Sequence, residues 1–503
     1  MIDHLCGLLS RWKYHDKTAI TQGEQRLSYR EWHAKATNIA ISLSRCLSPS
    51  SCHVALFLPN SIAYAVSYFG ILYANRTIIP IGPQSKGPEI RSTLENCEID
   101  LIITNSALQP GLTQILESYP YSIYLLNTDT LHVTKLAGEK GWIIKTAGVA
   151  DNEGRNATAV MLHTSGTLSH PKRVMLTHQN LLCNIRSNIA SLSLNADDVV
   201  LIALPMYFGY CNTAQFLTHV YLGASMVILE GMFLAKKFFS AVETCRVTNF
   251  TGVPTMLLSL LDYRRREEYD IHSLRYICFG GGKMPVDKLR QLISAFPTVG
   301  FVQTYGQTEA SPRVTALLPE DSVRKLGSVG RPIPGVTVAV VDEQGQVLDH
   351  GKIGEIVVRG ENVMKGYYKN DSATTAVLRN GWLYTGDLGR LDEEGYLYLT
   401  GRRKNMIISG GINIYPEEVE EVLFSHPCVA DVMVYGVPDE YMGELPCAKI
   451  VIKEGEEVSE GALINYCLDR LSGYKAPRRI EFVKALAKTY NGKTKRNEEV
   501  HNV

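Results

Sequence analysis

Apolar residues along the first third of the chain follow two alternating rhythms. Short runs such as His53-Val-Ala-Leu-Phe-Leu58, Thr77-Ile-Ile-Pro-Ile81 and Ile99-Asp-Leu-Ile-Ile103 predict buried strands. Between them lie segments with helical spacing. Ser28 followed by Glu31 is a capping-box pattern, and Ile39 and Leu43 share one face of the helix it opens. A helix is predicted over Ser61 to Ala74. Its apolar core, Ile62 to Ala74, falls short of the about 18 residues that a membrane span needs, so a buried helix is expected. Pro88 to Cys97 predicts another helix. Strand–helix alternation predicts a parallel sheet with helices on its faces, and the pattern resumes between Val199 and Val302.

From Val336 to Leu399 the texture changes. Val336-Thr-Val-Ala-Val-Val341 and Gly354-Glu-Ile-Val-Val-Arg359 are short β runs between Gly and Asp turns, which predict a β-rich subdomain at about 330–400. A basic turn, Gly401-Arg-Arg-Lys-Asn405, precedes a mixture of helix (Pro416 to Leu423) and strand (Ala430 to Val437, Cys447 to Ile452). The main domain boundary is expected near Lys404. That gives an α/β N-terminal core over 1–403 and a small α+β domain over 404–503.

Composition narrows the function classes. A chain of 503 residues is too long for one hydrophobic core. Lys and Arg number 51, matched by 51 Asp and Glu, so nothing pulls the chain generally toward nucleic acid or anionic membrane. The opening Met-Ile-Asp-His lacks the basic charge of a signal peptide. The 11 cysteines are scattered without zinc spacing and read as core thiols of a cytoplasmic protein.

Several loops carry candidate chemistry. His163-Thr-Ser-Gly-Thr-Leu-Ser-His-Pro-Lys172 follows a short apolar run; backbone N–H groups, hydroxyls and Lys172 can wrap phosphate there, or the segment is a plain turn. In Gln303-Thr-Tyr-Gly-Gln-Thr-Glu309, Thr308 can donate to a phosphate oxygen and Glu309 can hold Mg²⁺. The bland alternative is a strand running into a helix N-terminus. Asp387, at the end of Gly381-Trp-Leu-Tyr-Thr-Gly-Asp387, can accept ribose hydroxyls with Arg402 beside it, or Gly-Asp is a hairpin turn. Ser409-Gly-Gly-Ile-Asn413 and Thr489-Tyr-Asn-Gly-Lys493 complete the set.

In this order the motifs resemble the adenylate-forming superfamily: acyl- and aryl-CoA synthetases, adenylation domains of nonribosomal peptide synthetases, and firefly luciferase. The resemblance spans Ser28 to Arg496 and is most specific from Gly381 to Leu423. It implies ATP-dependent activation of a small carboxylic acid as acyl-AMP, then transfer to a thiol, with a mobile C-terminal domain. Thr164, Ser165, Gly166, Thr167 and Lys172 match the phosphate loop; Gly280, Gly281, Gly282 and Tyr305 match the adenine slot. Thr308 matches the α-phosphate donor, Glu309 the Mg²⁺ ligand, Asp387 and Arg402 the ribose clamp, and Lys404 the hinge. Lys493 matches the lysine of the first half-reaction, and Ser409, Gly410 and Gly411 match the loop that faces the thiol tunnel.

The phosphate loop departs from the family pattern at Leu168, Ser169 and Arg173, with Arg173 as a charge that can compensate, and Ala487 replaces a usual proline. Phe208 and Tyr210 are expected to wall the acyl pocket, or are plain core aromatics. Between Leu201 and Leu229 there is no Asp or Glu to hold an α-ammonium, so an uncharged acyl or aryl tail is expected. Coenzyme A is the expected acceptor, because Gly354 to Tyr368 runs on to Trp382 without the insertion of fatty-acyl-AMP ligases. The alternatives are a stand-alone enzyme that loads carrier-protein phosphopantetheine and a catalytically degenerate binding protein, the latter suggested by the altered loop.

Overall fold

The computed structural model describes residues 2–48, 52–117, 119–136, 154–163, 172–282, 284–410, 412–439 and 441–488. Two large sheets stand at its centre. In the eight-stranded sheet, His53–Leu56, Thr77–Pro80, Leu101–Thr104, Ile123–Asn127 and Thr158–His163 run parallel. In the nine-stranded sheet, Val199–Ile202, Ser225–Ile228, Asn249–Gly252, Tyr276–Phe279 and Gly300–Gly306 do the same. Both parallel segments predicted from the alternation are present. The hairpin Thr18–Gln22 and Gln25–Ser28 was not predicted; its first strand adds to Ser225–Ile228 from the far end of the N-terminal region.

Helices form where the sequence marks them. Ser28 caps Tyr29–Cys46 in a reciprocal box: its hydroxyl accepts from Glu31 N at 3.2 Å and its N–H donates to Glu31 Oε2 at 2.8 Å. Ile39 and Leu43 are buried on that helix. The apolar helix Ile62–Tyr73 is capped by Ser61 and buried along nearly its whole length. No described helix is long and apolar enough to cross a membrane. One apolar core joins the two sheets through these helices and His178–Leu192, while separate cores pack outer helices on the far face of each sheet.

A five-stranded antiparallel sheet follows, built from Val336–Val341, Gly354–Gly360, Leu378–Arg379, Trp382–Leu391 and Leu397–Arg402. Val336, Val338 and Val340 face inward while Thr337 is exposed, the period-two pattern of a half-covered strand. A last five-stranded sheet, with helices Pro416–Phe424 and Glu460–Leu468, encloses its own core of Ile407, Val419, Leu423, Val434 and Ile450. These are the β-rich subdomain and the small α+β domain that the sequence predicted.

Two of the plain alternatives fall away. Gly381 to Asp387 does not end in a hairpin turn. Asp387 lies inside the strand Trp382–Leu391, and Gly386 before it has φ +72°, a conformation open to glycine that kinks the strand beside the aspartate. Gly300–Gly306 leads not into an α-helix but into a single 3₁₀ turn, Thr308–Ala310, before the chain doubles back as Arg313–Leu317.

Candidate active site

The parallel strands of the nine-stranded sheet deliver their C-terminal ends to one edge, where ligands collect in open α/β sheets. Phe208 and Tyr210 follow Val199–Ile202, Gly280 to Gly282 follow Tyr276–Phe279, and Tyr305 to Glu309 end Gly300–Gly306. Gly306 is required by the doubling back, because a Cβ there would stand 1.9 Å from the Pro312 carbonyl oxygen. A Cβ on Gly280 would meet the Thr304 carbonyl oxygen at 2.6 Å, so its smallness serves the neighbouring strand.

Asp387 is buried and holds two partners, one on each oxygen. The Tyr305 hydroxyl donates to Oδ2 at 2.8 Å, and Arg402 Nε donates to Oδ1 at 2.8 Å. Antiparallel pairing sets the second contact, since Asp387 and Arg402 stand opposite each other on adjacent strands. Burial drives the Tyr305 hydroxyl well above the usual phenol range, with Asp387 adding to the effect, so it stays a neutral donor. Arg402 is held more firmly charged, chiefly by Asp387.

A second cluster forms around Tyr367. Its hydroxyl donates to Glu309 Oε1 at 2.9 Å, and Lys172 Nζ lies 4.8 Å from its ring centroid. No group of three or more His, Cys, Asp or Glu among the described residues can hold a metal. Glu309 as a lone oxygen donor fits Mg²⁺, which binds through one or two carboxylates together with substrate phosphates. Thr308 stands beside the segment that carries Phe208 and Tyr210: a Cβ on Gly209 would lie 3.8 Å from its hydroxyl oxygen. Tyr210 shares a 2.7 Å hydrogen bond with Thr304.

Arg173 is held on the side of the helix Gly87–Asn96 by at least one contact; the loop before it lies outside the described residues. The Arg173 side chain is buried and donates to the Thr93 hydroxyl at 2.6 Å, on that helix. Ser409 ends a strand of the small domain's own sheet and Gly410 turns away from it, its N–H donating to the Met442 carbonyl at 2.7 Å. Among the described residues no hydrogen bond joins them to Asp387 or Arg402. Thr164, Ser165, Gly166, Thr167, Leu168, Ser169, Gly411 and Lys493 lie outside the described residues.

Two contributors escaped the sequence reading. Tyr367 stands in a run noted only for its length. Glu355 is buried in Gly354–Gly360; its Oε1 accepts from Gly386 N at 3.0 Å and its Oε2 from Arg403 Nη1 at 2.8 Å. Arg403 and Lys404 form a 3₁₀ turn with Asn405, whose amide donates to Glu417 Oε1 at 3.3 Å. Glu355 was legible only as the polar residue that interrupts an apolar run.

An acidic clamp and a lone magnesium-type carboxylate at the C-terminal edge of a parallel sheet suit an enzyme that works on a nucleotide. Residues 10–368 match the model of the AMP-binding enzyme, and residues 418–493 match that of the AMP-binding enzyme C-terminal domain. The chain belongs to this AMP-binding enzyme family. A long-chain-fatty-acid–CoA ligase of Bacillus subtilis is 32% identical, with 96% of this chain and 91% of that protein covered. A feruloyl-CoA synthase of Amycolatopsis is 33% identical, with 96% and 95% covered. The o-succinylbenzoate coenzyme A synthetase of Bacillus subtilis, solved with ATP and magnesium ion, superposes at a TM-score of 0.86, 30% identity and 100% of both chains.

Proposed function

We propose that the protein is an AMP-forming acid–thiol ligase that activates a carboxylic acid with ATP and passes the acyl group to coenzyme A. The observation that carries this reading is the Asp387 clamp, held between Tyr305 and Arg402 at the edge of the sheet that also bears Thr308 and Glu309. ATP would lie across that edge, with its ribose on Asp387, its adenine beside Gly280 to Gly282 and Tyr305, and its phosphates toward Thr308, Lys172 and the loop from Thr164 to Thr167.

The acid needs no general base, because a carboxylate is already the nucleophile at neutral pH. Its attack on the α-phosphorus is limited by charge. Lys493 would neutralise charge there, Thr308 would donate a hydrogen bond to an α-phosphate oxygen, and Glu309 would hold Mg²⁺, which supplies Lewis-acid stabilisation of the phosphates. Pyrophosphate then leaves and the mixed anhydride remains. Thioester formation follows when the small domain turns about Lys404, withdraws Lys493 and brings the Ser409, Gly410 and Gly411 loop to the site. We place the core at 1–403 and the moving domain at 404–503.

The ionic residues of the reaction are all retained, which favours an active enzyme over a degenerate binding protein. All eleven cysteines are free thiols, which supports a cytoplasmic setting. The test is a panel of carboxylic acids in ATP–pyrophosphate exchange, followed by coenzyme A and a holo-carrier protein as acceptors. Release of AMP and pyrophosphate with a coenzyme A thioester is the expected result. Loading of the carrier alone would transfer the activity to carrier-bound phosphopantetheine. Absence of exchange with every acid would defeat the reading.

A further inference from the structure

Arg313 opens the strand Arg313–Leu317, directly across from Gly306. It is only 2% exposed. Two of its guanidinium nitrogens, Nε and Nη1, are buried and have no hydrogen-bond partner among the described residues. None of the ion pairs among those residues includes it. A buried charge without a counter-charge destabilises a fold, and such groups persist where a ligand completes them.

The surroundings show where that ligand would lie. The guanidinium lies near the Tyr210 hydroxyl and the Cys278 thiol, close enough for its charge to favour their ionised forms against the effect of burial. Tyr210 is bonded in turn to Thr304, and Gly209 beside it borders Thr308. Arg313 therefore lies on the same side as Tyr210 and Thr308, the residues that the ligase reading sets around the acid. Its planar fork of donors matches a carboxylate, the charged group that a carboxylic acid substrate can carry a second time.

We propose that the acid substrate is a dicarboxylate: one carboxylate is activated beside Thr308, and the second is held by Arg313 with Tyr210 as a further donor. This rests on the ligase reading above and names its substrate class. It also replaces the uncharged tail expected from the sequence. The stretch from Leu201 to Leu229 does lack an acid to hold an ammonium group, but the cation that answers the substrate lies outside that stretch, on the strand after Glu309.

The test compares matched acids of one skeleton, a dicarboxylic acid and its half-amide, over a series of short aliphatic and aromatic diacids. In ATP–pyrophosphate exchange at least one diacid should exceed its half-amide in kcat/KM by about 100-fold, the discrimination expected of a site left with unpaired donors. Arg313→Met should remove that preference, leave the KM for ATP unchanged, and melt at the same or a higher temperature than wild type without substrate. Arg313→Lys, which keeps the charge, should retain part of the preference. Equal or better use of half-amides by the wild type would overturn the proposal and leave the ligase reading standing. So would an Arg313→Met protein that loses both acids equally and melts lower, since that marks a structural arginine, or one that raises the KM for ATP alone. Exchange with no acid of either kind would sink the ligase reading itself.

Discussion

The Tyr305 hydroxyl donates to Oδ2 of Asp387 at 2.8 Å, so one oxygen of the proposed ribose clamp is fixed by the sheet itself. Hydrogen bonds to charged groups contribute about 1.5–3 kcal/mol, or roughly 10- to 100-fold. Tyr305→Phe is therefore expected to lower kcat/KM for ATP by about that factor. Asp387→Asn should fall further, because the ion pair to Arg402 goes as well. Exchange rates measured over a range of ATP decide the matter; an unaltered dependence on ATP in Tyr305→Phe would remove Tyr305 from the clamp.

Glu309 is the proposed magnesium ligand, and its Oε1 is oriented by Tyr367 at 2.9 Å. Glu309→Gln keeps the shape and the acceptor for Tyr367 but loses the charge. The Mg²⁺ concentration for half-maximal pyrophosphate release should rise at least about 10-fold, equivalent to about 1.4 kcal/mol. A magnesium titration identical to wild type would place the metal elsewhere.

Lys493 is assigned to the first half-reaction only. Lys493→Ala should slow acyl-AMP formation by at least about 100-fold, roughly 2.7 kcal/mol of barrier. Supplied with pre-made acyl-AMP, the same protein should form thioester at close to the wild-type rate. Equal loss of both steps would contradict the assignment.

Lys404 sits in a 3₁₀ turn between the five-stranded sheet and the small domain. Proline there would fix φ near −65° and remove an N–H. Lys404→Pro is expected to keep substantial adenylation while thioester formation drops about 100-fold. Single-turnover measurements of both steps on one preparation provide the check, and wild-type thioester formation would mean that the domain does not turn at this residue.

Acid sensitivity should come partly from His219. The ring is buried in the core, shares a 2.6 Å hydrogen bond with the Gln215 carbonyl and meets Asn249 Nδ2 at 3.2 Å, so it is neutral, with Nδ1 as donor and Nε2 as acceptor. Burial pushes its pKa down to about 4, against about 6.5 in an unfolded chain. The unfolded state therefore binds the extra proton first. Stability should be full above about pH 7 and decline as pH falls from about 6.5 toward 4. Urea midpoints at pH 7.5 and 5 should differ in wild type and differ less in His219→Asn. A wild-type midpoint independent of pH over that range would refute this.

Periodicity and capping made most of the fold legible. Ser28 with Glu31, the apolar run after Ser61 and the Val336 alternation each state a local preference that packing agrees with. The hairpin at Thr18 was not legible, because its place depends on an edge left open by Ser225–Ile228, a non-local condition. At the site, Asp387 and Arg402 were readable as a pair, though not as cross-strand partners. Arg313 was missed for a physical reason. A lone arginine after a proline reads as a solvated charge, and only burial without a counter-charge among the described residues makes it informative.

Glu355 grips the Gly386 amide with one oxygen and the Arg403 guanidinium with the other. The segment that carries Asp387 and the residue just before the proposed pivot are thereby one mechanical piece. Torque from a turning small domain would be taken up by the strand Gly354–Gly360 before it reached the aspartate. A substitution at residue 355 would then pass for poor nucleotide recognition, although the side chain holds only the frame of the proposed clamp.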